Sequence, residues 1–299
     1  MTATMTDYAT YKHFNVSMPS AHVAHVEINR PAKLNAFHQE CVQMWLEYGQ
    51  LFRALSVDAS VRAIVLSGAG DRAFCSGLDI TSAPELTSST SSSSNSSGGG
   101  GGGGGGMDPA RRAFALRRHI REFQDCIGAA AACEKPVIAV LHGIAYGLAI
   151  DIACCADVRL CAADTRFCVK EVDIGIAADI GTLTRLPKVV GCGSWVREVA
   201  LTARVWGSEE AVSVGFVSRA LPGKEQAVAE ALKTARLMAE KSPLGVQGTK
   251  ALVNYSVDHT TQEGLDYTAV WNAAAIQAPD PAIAIQATMQ KKKATFAKL

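Results

Sequence analysis

Three carboxylates share one apolar stretch of this chain. Asp151 sits among Ile150, Ile152, Ala153 and Cys154, Glu171 follows, and Asp179 is flanked by Ile176, Ala177, Ala178 and Ile180. A carboxylate in such surroundings is costly to ionise, because loss of water disfavours the charged form. One such residue is easily accidental; three in one block indicate a site where proton affinity is tuned for proton transfer. The block opens with an apolar run, Val137 to Leu141, that stops at His142-Gly143, and a small-residue segment around Gly147 comes next. His142 is expected to pack or hydrogen-bond at a strand end. Asp157, Asp164 and Asp173 read as surface or turn carboxylates.

The elements that must hold these acids follow from hydrophobic period. Val23 to Asn29 alternates as a strand does, and Pro31 ends it. Asn35 is placed to cap a helix with Val42, Trp45, Gly49, Phe52 and Leu55 on its apolar face. Ala63 to Leu66 is a second, buried strand, turned by Ser67 to Gly70; the loop from Ala73 to Ile80 holds a glycine, Gly77, that permits a backbone bend toward a ligand. A helix carrying Phe114, Leu116, Ile120, Phe123 and Ile127 leads into the central strand. After the acid block come a helix from Trp195 to Ala203, another capped by Ser208 with Glu209 and Glu210 in its first turn and stopped by Gly215, and a strand from Val217 to Leu221. Four helical stretches close the chain: Ala227 to Lys241, Leu244 to Tyr255, Thr261 to Gln277 and Ala282 to Lys292. Strands alternating with helices, then helices alone, predict an α/β core over 1–223 and a helical region over 224–299. Within the core, Thr87 to Gly106 is a serine run followed by a glycine tract, which buries too little apolar surface to offset its ordering entropy and reads as a floppy inserted loop.

Composition narrows the function classes. The 299 residues suffice for a large core, 48% are hydrophobic, and the net charge of +1 provides no bulk attraction for nucleic acid. Arg111, Arg112, Arg117, Arg118 and Arg121 are best read as a solvated helix face. Nine cysteines, scattered and without a CxxC pair, argue against a disulfide framework or a zinc site and for a reducing compartment. Polar residues interrupt every apolar run before it reaches a membrane-spanning length, and the N-terminus lacks both a secretory apolar core and presequence arginines. The last residues, Ala297-Lys298-Leu299, are a conservative variant of the Ser-Lys-Leu address read by the peroxisomal import receptor, with Lys291 to Lys293 expected to keep it exposed.

With these residues in view, the chain resembles the crotonase (enoyl-CoA hydratase/isomerase) superfamily, except in the insertion and both tails. The matching features are Asn29-Arg30-Pro31 with Asn35-Ala36, Phe74-Cys75-Ser76-Gly77-Leu78-Asp79, Lys135 to Ala139 before His142-Gly143, Cys155-Ala156-Asp157 and Leu186-Pro187. The resemblance implies a spiral of β-β-α turns, a helical C-terminal trimerisation region, a homotrimer or homohexamer, and acyl-CoA thioesters as substrates. It also implies an oxyanion hole from the amides of Leu78 and Leu148, and substrate contacts at Lys33, Ala36, Ser76, Gly77, Leu78, Asp79, Ile80 and Gly147, with Lys33 near the phosphates. Many relatives carry a glycine triplet where this chain reads Gly147-Leu148-Ala149, but a backbone donor does not require a glycine side chain. Neither a metal-ligand set nor a nucleotide-binding glycine fingerprint appears, so no resident cofactor is expected; coenzyme A belongs to the substrate.

The acids distinguish branches of the family. Hydratases usually carry two glutamates at the positions of Asp151 and Glu171. The stretch from Lys170 to Leu183, with Asp179 inside it, resembles instead the branch that isomerises 3,5-dienoyl-CoA to 2,4-dienoyl-CoA in β-oxidation of unsaturated fatty acids. That branch implies that Glu171 takes a proton from C2, that Asp179 delivers one to C6, and that Asp151 orients or modulates them. Enoyl-CoA hydration, Δ3-Δ2-enoyl-CoA isomerisation and a catalytically silent binding protein of the same fold are the alternatives.

Overall fold

The computed structural model describes residues 8–38, 44–79 and 108–299. Val42, Ile80 and the Ser/Gly-rich insertion therefore lie outside the described residues. Six strands form one sheet in the order β1 (Phe14–Ser20), β2 (Val23–Ile28), β3 (Ala63–Gly68), β5 (Val137–Leu141), β7 (Val158–Ala162), β10 (Arg219–Leu221). Four shorter strands form a second, in the order β4 (Ala73–Cys75), β6 (Ile144–Tyr146), β8 (Arg166–Cys168), β9 (Trp206–Gly207). The pairs β3/β4, β5/β6 and β7/β8 each place their first strand in the large sheet and their second in the small one, which is the repeated β-β-α turn. Every residue of β3 and of β5 is buried, as expected of parallel strands covered on both faces.

Two helical layers cover the large sheet. On one side, α1 (Met44–Val57) packs against α2 (Pro109–Ala132). Gly49 lies in that contact: a Cβ there would be 2.8 Å from the Cys126 sulfur, which is why a glycine occupies the apolar stripe of α1. On the other, α7 (Lys224–Ala239) sets Ala227, Ala231, Ala235 and Ala239 on Val23, Val65, Ile138, Val140 and Leu160. The first helix beyond residue 223 thus closes the sheet itself. The helices after it, α8 (Pro243–Ser256), α9 (Thr261–Ala275) and α10 (Asp280–Met289), lie outside this core; α9 buries no residue, and Leu265 and Val270 on it are 59% and 71% exposed.

The local readings changed at three places. Asn35 caps no helix: its side chain accepts from the Arg30 N–H (2.9 Å) and donates to the carbonyls of Ala69 (2.9 Å) and Ala73 (2.8 Å), pinning three loop segments together. Its fully buried, left-handed backbone (φ 56°) is one that asparagine tolerates better than most residues. Ser208 is the first residue of α6 (Ser208–Ser213), with Gly207 at the cap, and donates instead to the Ala163 carbonyl (2.7 Å). Asp157 is no idle turn carboxylate. It accepts from the Val137 N–H (2.7 Å) and pairs with buried Lys250 of α8 (2.8 Å), whose ammonium also donates to the Lys135 carbonyl (3.0 Å). Asp164 is exposed and Asp173 pairs with Lys170 at the surface, as expected.

The pair between Asp157 and Lys250 ties α8 to the core, so Lys250→Met should lower stability by about 3 kcal/mol in urea unfolding, near the lower end for breaking a buried pair because Asp157 stays partly solvated. A loss under about 1 kcal/mol would put the pair with ordinary surface bridges.

Candidate active site

Two backbone loops come together first. Phe37 and Leu78 form a parallel bridge in which the Phe37 N–H donates to the Gly77 carbonyl (2.9 Å) and the Asp79 N–H donates to the Phe37 carbonyl (2.8 Å). That pairing uses the residues on either side of Leu78 and leaves the Leu78 N–H facing away from Phe37. Arg30 fixes the loop by donating to the Ala36 carbonyl (3.0 Å) and to the Asp79 carboxylate (2.9 Å). Asp79 is thus an internal anchor, held by an arginine.

The second loop is β6 running into α3 (Leu148–Cys154). Gly147 has φ +54°, in the left-handed region that favours glycine, and its N–H donates to the Cys168 carbonyl (2.9 Å). Leu148 opens α3, so its N–H is among those a helix leaves without an internal partner. The loops touch at glycines: a Cβ on Gly77 (φ +100°) would lie 3.2 Å from the Tyr146 carbonyl and 3.8 Å from the Leu148 nitrogen. The Leu148 side chain turns into the core and is 3% exposed.

The acids are arranged around this junction. A Cβ on Gly147 would lie 3.4 Å from Oε1 of Glu171, so the carboxylate borders the Gly147-Leu148 backbone. The other oxygen of Glu171, Oε2, is buried and has no hydrogen-bond partner among the described residues. Glu171 opens a short 3-10 turn (Glu171–Ile174), and burial first, then the charge of Asp179, raises its pKa. Asp151 is 1% exposed in the first turn of α3 and accepts from the Thr182 N–H (2.6 Å). Burial, then the charge of Glu171, pushes its pKa up to about 7. Asp179 differs: its side chain is exposed, while its carbonyl accepts from Gln124 of α2 (2.5 Å). Surrounding protein still raises its pKa by desolvation, and His119 of α2 works against that rise. The charges of Glu171 and Asp179 both raise Asp151, and that of Asp179 raises Glu171, so the three acids titrate as a coupled set.

The remaining expected positions divide. Ala36, Gly77 and Gly147 are buried at the junction, and Ser76 and Leu78 are half-buried beside it. Lys33 is exposed on the 3-10 turn Pro31–Lys33. His142 hydrogen-bonds through Nε2 to the Gly70 carbonyl (3.0 Å) at the end of β5, a strand-end role. Ala297, Lys298 and Leu299 are exposed, but the tail is not loose: Phe296 is buried, and Arg62 donates to the carbonyls of Phe296 (2.8 Å) and Ala297 (3.1 Å). Sequence reasoning missed Arg30, Asn35 and Gln124, which act on loop backbones; the Asn29-Arg30-Pro31 run was the available signal for the first. Among the described residues, no group of three His, Cys, Asp or Glu is arranged to hold a metal, and no helix is long and apolar enough to cross a membrane. The cysteines expected as small hydrophobes, Cys75, Cys126, Cys154 and Cys155, are buried with their thiol pKa values raised by desolvation.

The raised Asp151 pKa has a signed consequence. Between about pH 4 and 7 the folded chain holds a proton that the unfolded chain has released, so this residue's contribution falls as pH rises through that window and is lost above it. Asp151→Asn keeps an acceptor for the Thr182 N–H and removes the titration. Its stability relative to the parent chain should rise across this window by more than about 1 kcal/mol, since a tenfold change in proton affinity is worth about 1.4 kcal/mol. Urea unfolding of both chains at pH 5 and pH 8 measures the difference, and an unchanged difference would contradict the expectation.

Comparisons with known proteins identify the family. Residues 23–234 match the enoyl-CoA hydratase/isomerase family model. The human mitochondrial Δ3,5-Δ2,4-dienoyl-CoA isomerase is 40% identical over 97% of this chain and 84% of its own length. The peroxisomal Δ3,5-Δ2,4-dienoyl-CoA isomerase of Arabidopsis thaliana is 38% identical over 99% of this chain and 100% of its own. In fold, the chain superposes on an enoyl-CoA hydratase from Bacillus anthracis with a TM-score of 0.80 at 21% identity, covering 96% of this chain and 99% of that one. The chain, a spiral of β-β-α turns with Glu171 against a junction of two glycine-bearing loops, belongs to the enoyl-CoA hydratase/isomerase family.

Proposed function

We propose that this protein isomerises 3,5-dienoyl-CoA to 2,4-dienoyl-CoA, using Glu171 as the base at C2, Asp179 as the acid at C6 and the amides of Leu78 and Leu148 as the oxyanion hole. The observation that carries the reading is the Glu171 carboxylate, which borders the Gly147-Leu148 backbone with one buried oxygen unpaired. A base needs such a free lone pair, and an α-proton beside a thioester becomes removable only when donors stabilise the enolate oxygen. Asp179 supplies the second requirement, a carboxyl with raised proton affinity, and the charges of both Glu171 and Asp179 act on buried Asp151. Two acids of opposite protonation state need environments that separate their pKa values. The dienoyl-CoA isomerase relatives, at 38% and 40% identity over nearly the whole chain, support this reaction over hydration.

The reading extends to assembly, chemistry and place. The exposed apolar residues of α9 and α10 fit a homotrimer or homohexamer, and the reaction as written is proton transfer by protein groups, with coenzyme A arriving on the substrate. The Ala297-Lys298-Leu299 end favours import into peroxisomes, where the Arabidopsis relative is named as residing, whereas the human relative is named as mitochondrial.

Purified protein given 3,5-octadienoyl-CoA should produce the absorbance of conjugated 2,4-dienoyl-CoA, well above any hydration of crotonyl-CoA; fast hydration with no dienoyl product would sink the reading. Asp179→Asn should abolish isomerisation yet retain exchange of the C2 proton with deuterated water, and Glu171→Gln should abolish both, each by roughly a hundred- to ten-thousandfold. The reverse pattern of exchange would swap the two roles.

For location, a tagged chain lacking Leu299 should stay in the cytosol. An unchanged punctate distribution would remove the tail as the signal.

A further inference from the structure

His38 directly follows Phe37, the residue whose N–H and carbonyl bracket Leu78 by bonding to Gly77 and Asp79. Upstream, Arg30 holds this segment at the Ala36 carbonyl (3.0 Å), and the Phe37 ring packs in the core against Phe14 and Tyr48. Downstream, beside a longer backbone bond from the Met44 N–H (3.3 Å), the contact runs through the His38 ring. Its Nε2 lies 3.0 Å from Nε2 of His13, and Nδ1 of His13 lies 2.6 Å from the Glu47 carboxylate. A chain of contacts therefore runs from Glu47 on α1, through the residue before β1, to the segment paired with Leu78.

The direction of these bonds follows from what each group can do. Glu47 is 6% exposed, and its Oε1 accepts from the Lys12 N–H and the His13 N–H (3.4 Å). The carboxylate is thus an acceptor throughout, and His13 donates to it through Nδ1. Two ring nitrogens 3.0 Å apart hold one proton between them: with N–H on both, two hydrogens would face each other, and with none, two lone pairs would. The foundation is firm, because the His13 carbonyl also accepts from the Asn29 N–H (2.7 Å) at the end of β2. Glu47 fixes the His13 ring, and that ring fixes His38.

We propose that His13, oriented by Glu47, is a positioning residue for the oxyanion hole, acting through His38 and Phe37 on the Leu78 N–H. The proposal rests on that amide being an oxyanion donor of the dienoyl isomerisation. Arg30 and His13 then hold the segment 36–38 from its two ends, and Gly77 and Asp79 take their places from it. A donor that is slightly displaced still exists but no longer points at the enolate oxygen. The loss therefore falls on the step that forms the enolate rather than on binding.

The test uses His38 variants, which leave the buried Glu47–His13 pair whole. With 3,5-octadienoyl-CoA, His38→Leu should lower kcat by about tenfold or more, short of the roughly hundred- to thousandfold that follows removal of an oxyanion donor, with KM nearly unchanged. Exchange of the C2 proton with deuterated water should fall by the same factor, because the enolate forms in that step. His38→Gln, whose amide can reach the place of Nε2, should recover most of kcat. An unchanged kcat, a loss confined to KM, or a His38→Gln chain as slow as His38→Leu would overturn the proposal. A second arm needs no turnover: in His38→Leu the Phe37 and Asp79 amides should exchange with deuterated solvent about tenfold faster, while those of β3 and β5 keep their protection. That loosening, with a parent chain that isomerises no dienoyl-CoA, would reject the reaction and keep the positioning of the loop; slower turnover with unmoved amides would reject the positioning.

Discussion

Asp151 takes a carboxylate into the first turn of α3, where it is 1% exposed and accepts from the Thr182 N–H. The arrangement of the surrounding acids depends on that burial. A charge there is expensive, so its proton affinity rises to the neutral range, and the charges of Glu171 and Asp179 raise it further. The Thr182 bond has a mechanical role as well: it ties the start of α4 (Thr182–Val189) to α3 and so sets where the Asp179 bend lies. Burial, position and protonation are thereby one constraint. An asparagine would meet the hydrogen-bonding part of it but not the electrostatic part.

The donors are built differently, from backbone alone. Gly77 and Gly147 let two chains approach until the Leu148 nitrogen is near Gly77, and both have positive φ, where a side chain would be strained. Neither loop holds itself. Arg30 and Asn35 secure the first through carbonyls and the Asp79 carboxylate, and β8 holds the second through the Cys168 carbonyl. In the proposed reaction, amides preorganised in this way would stabilise developing charge without reorganising. Leu148 fits because its side chain has a place in the core, leaving the glycine-triplet pattern of many relatives unnecessary here.

The C-terminal half shows two kinds of helix. α7 presents alanines to the sheet and is part of the core, whereas α9 buries nothing and exposes Leu265 and Val270. Between them, α8 is anchored by Lys250 reaching Asp157, a charge pair that the sequence does not advertise because its members lie far apart in the chain. The result is a helical region tied to the core at its base, with apolar residues exposed on its outer helices.

Much of the fold was legible because it is written in local periodicity. The strand at Val23, the central run from Val137, the four closing helices and the three acids all follow from neighbours in sequence, and the motif resemblance gave the topology. The readings that failed were those in which a polar side chain had both a local and a distant partner. Asn35 and Ser208 carry the residue types of helix caps, but their hydrogen bonds go to Ala69, Ala73 and Ala163, which only the folded chain brings within reach. The sequence by itself determined which residues are expensive to bury: an aspartate among isoleucines is costly in any fold. The tertiary structure decided how that expense is met, since the Thr182 amide and the bare Glu171 oxygen depend on distances between segments far apart in the chain. Electrostatic coupling depends on separation in space, which residue order does not encode.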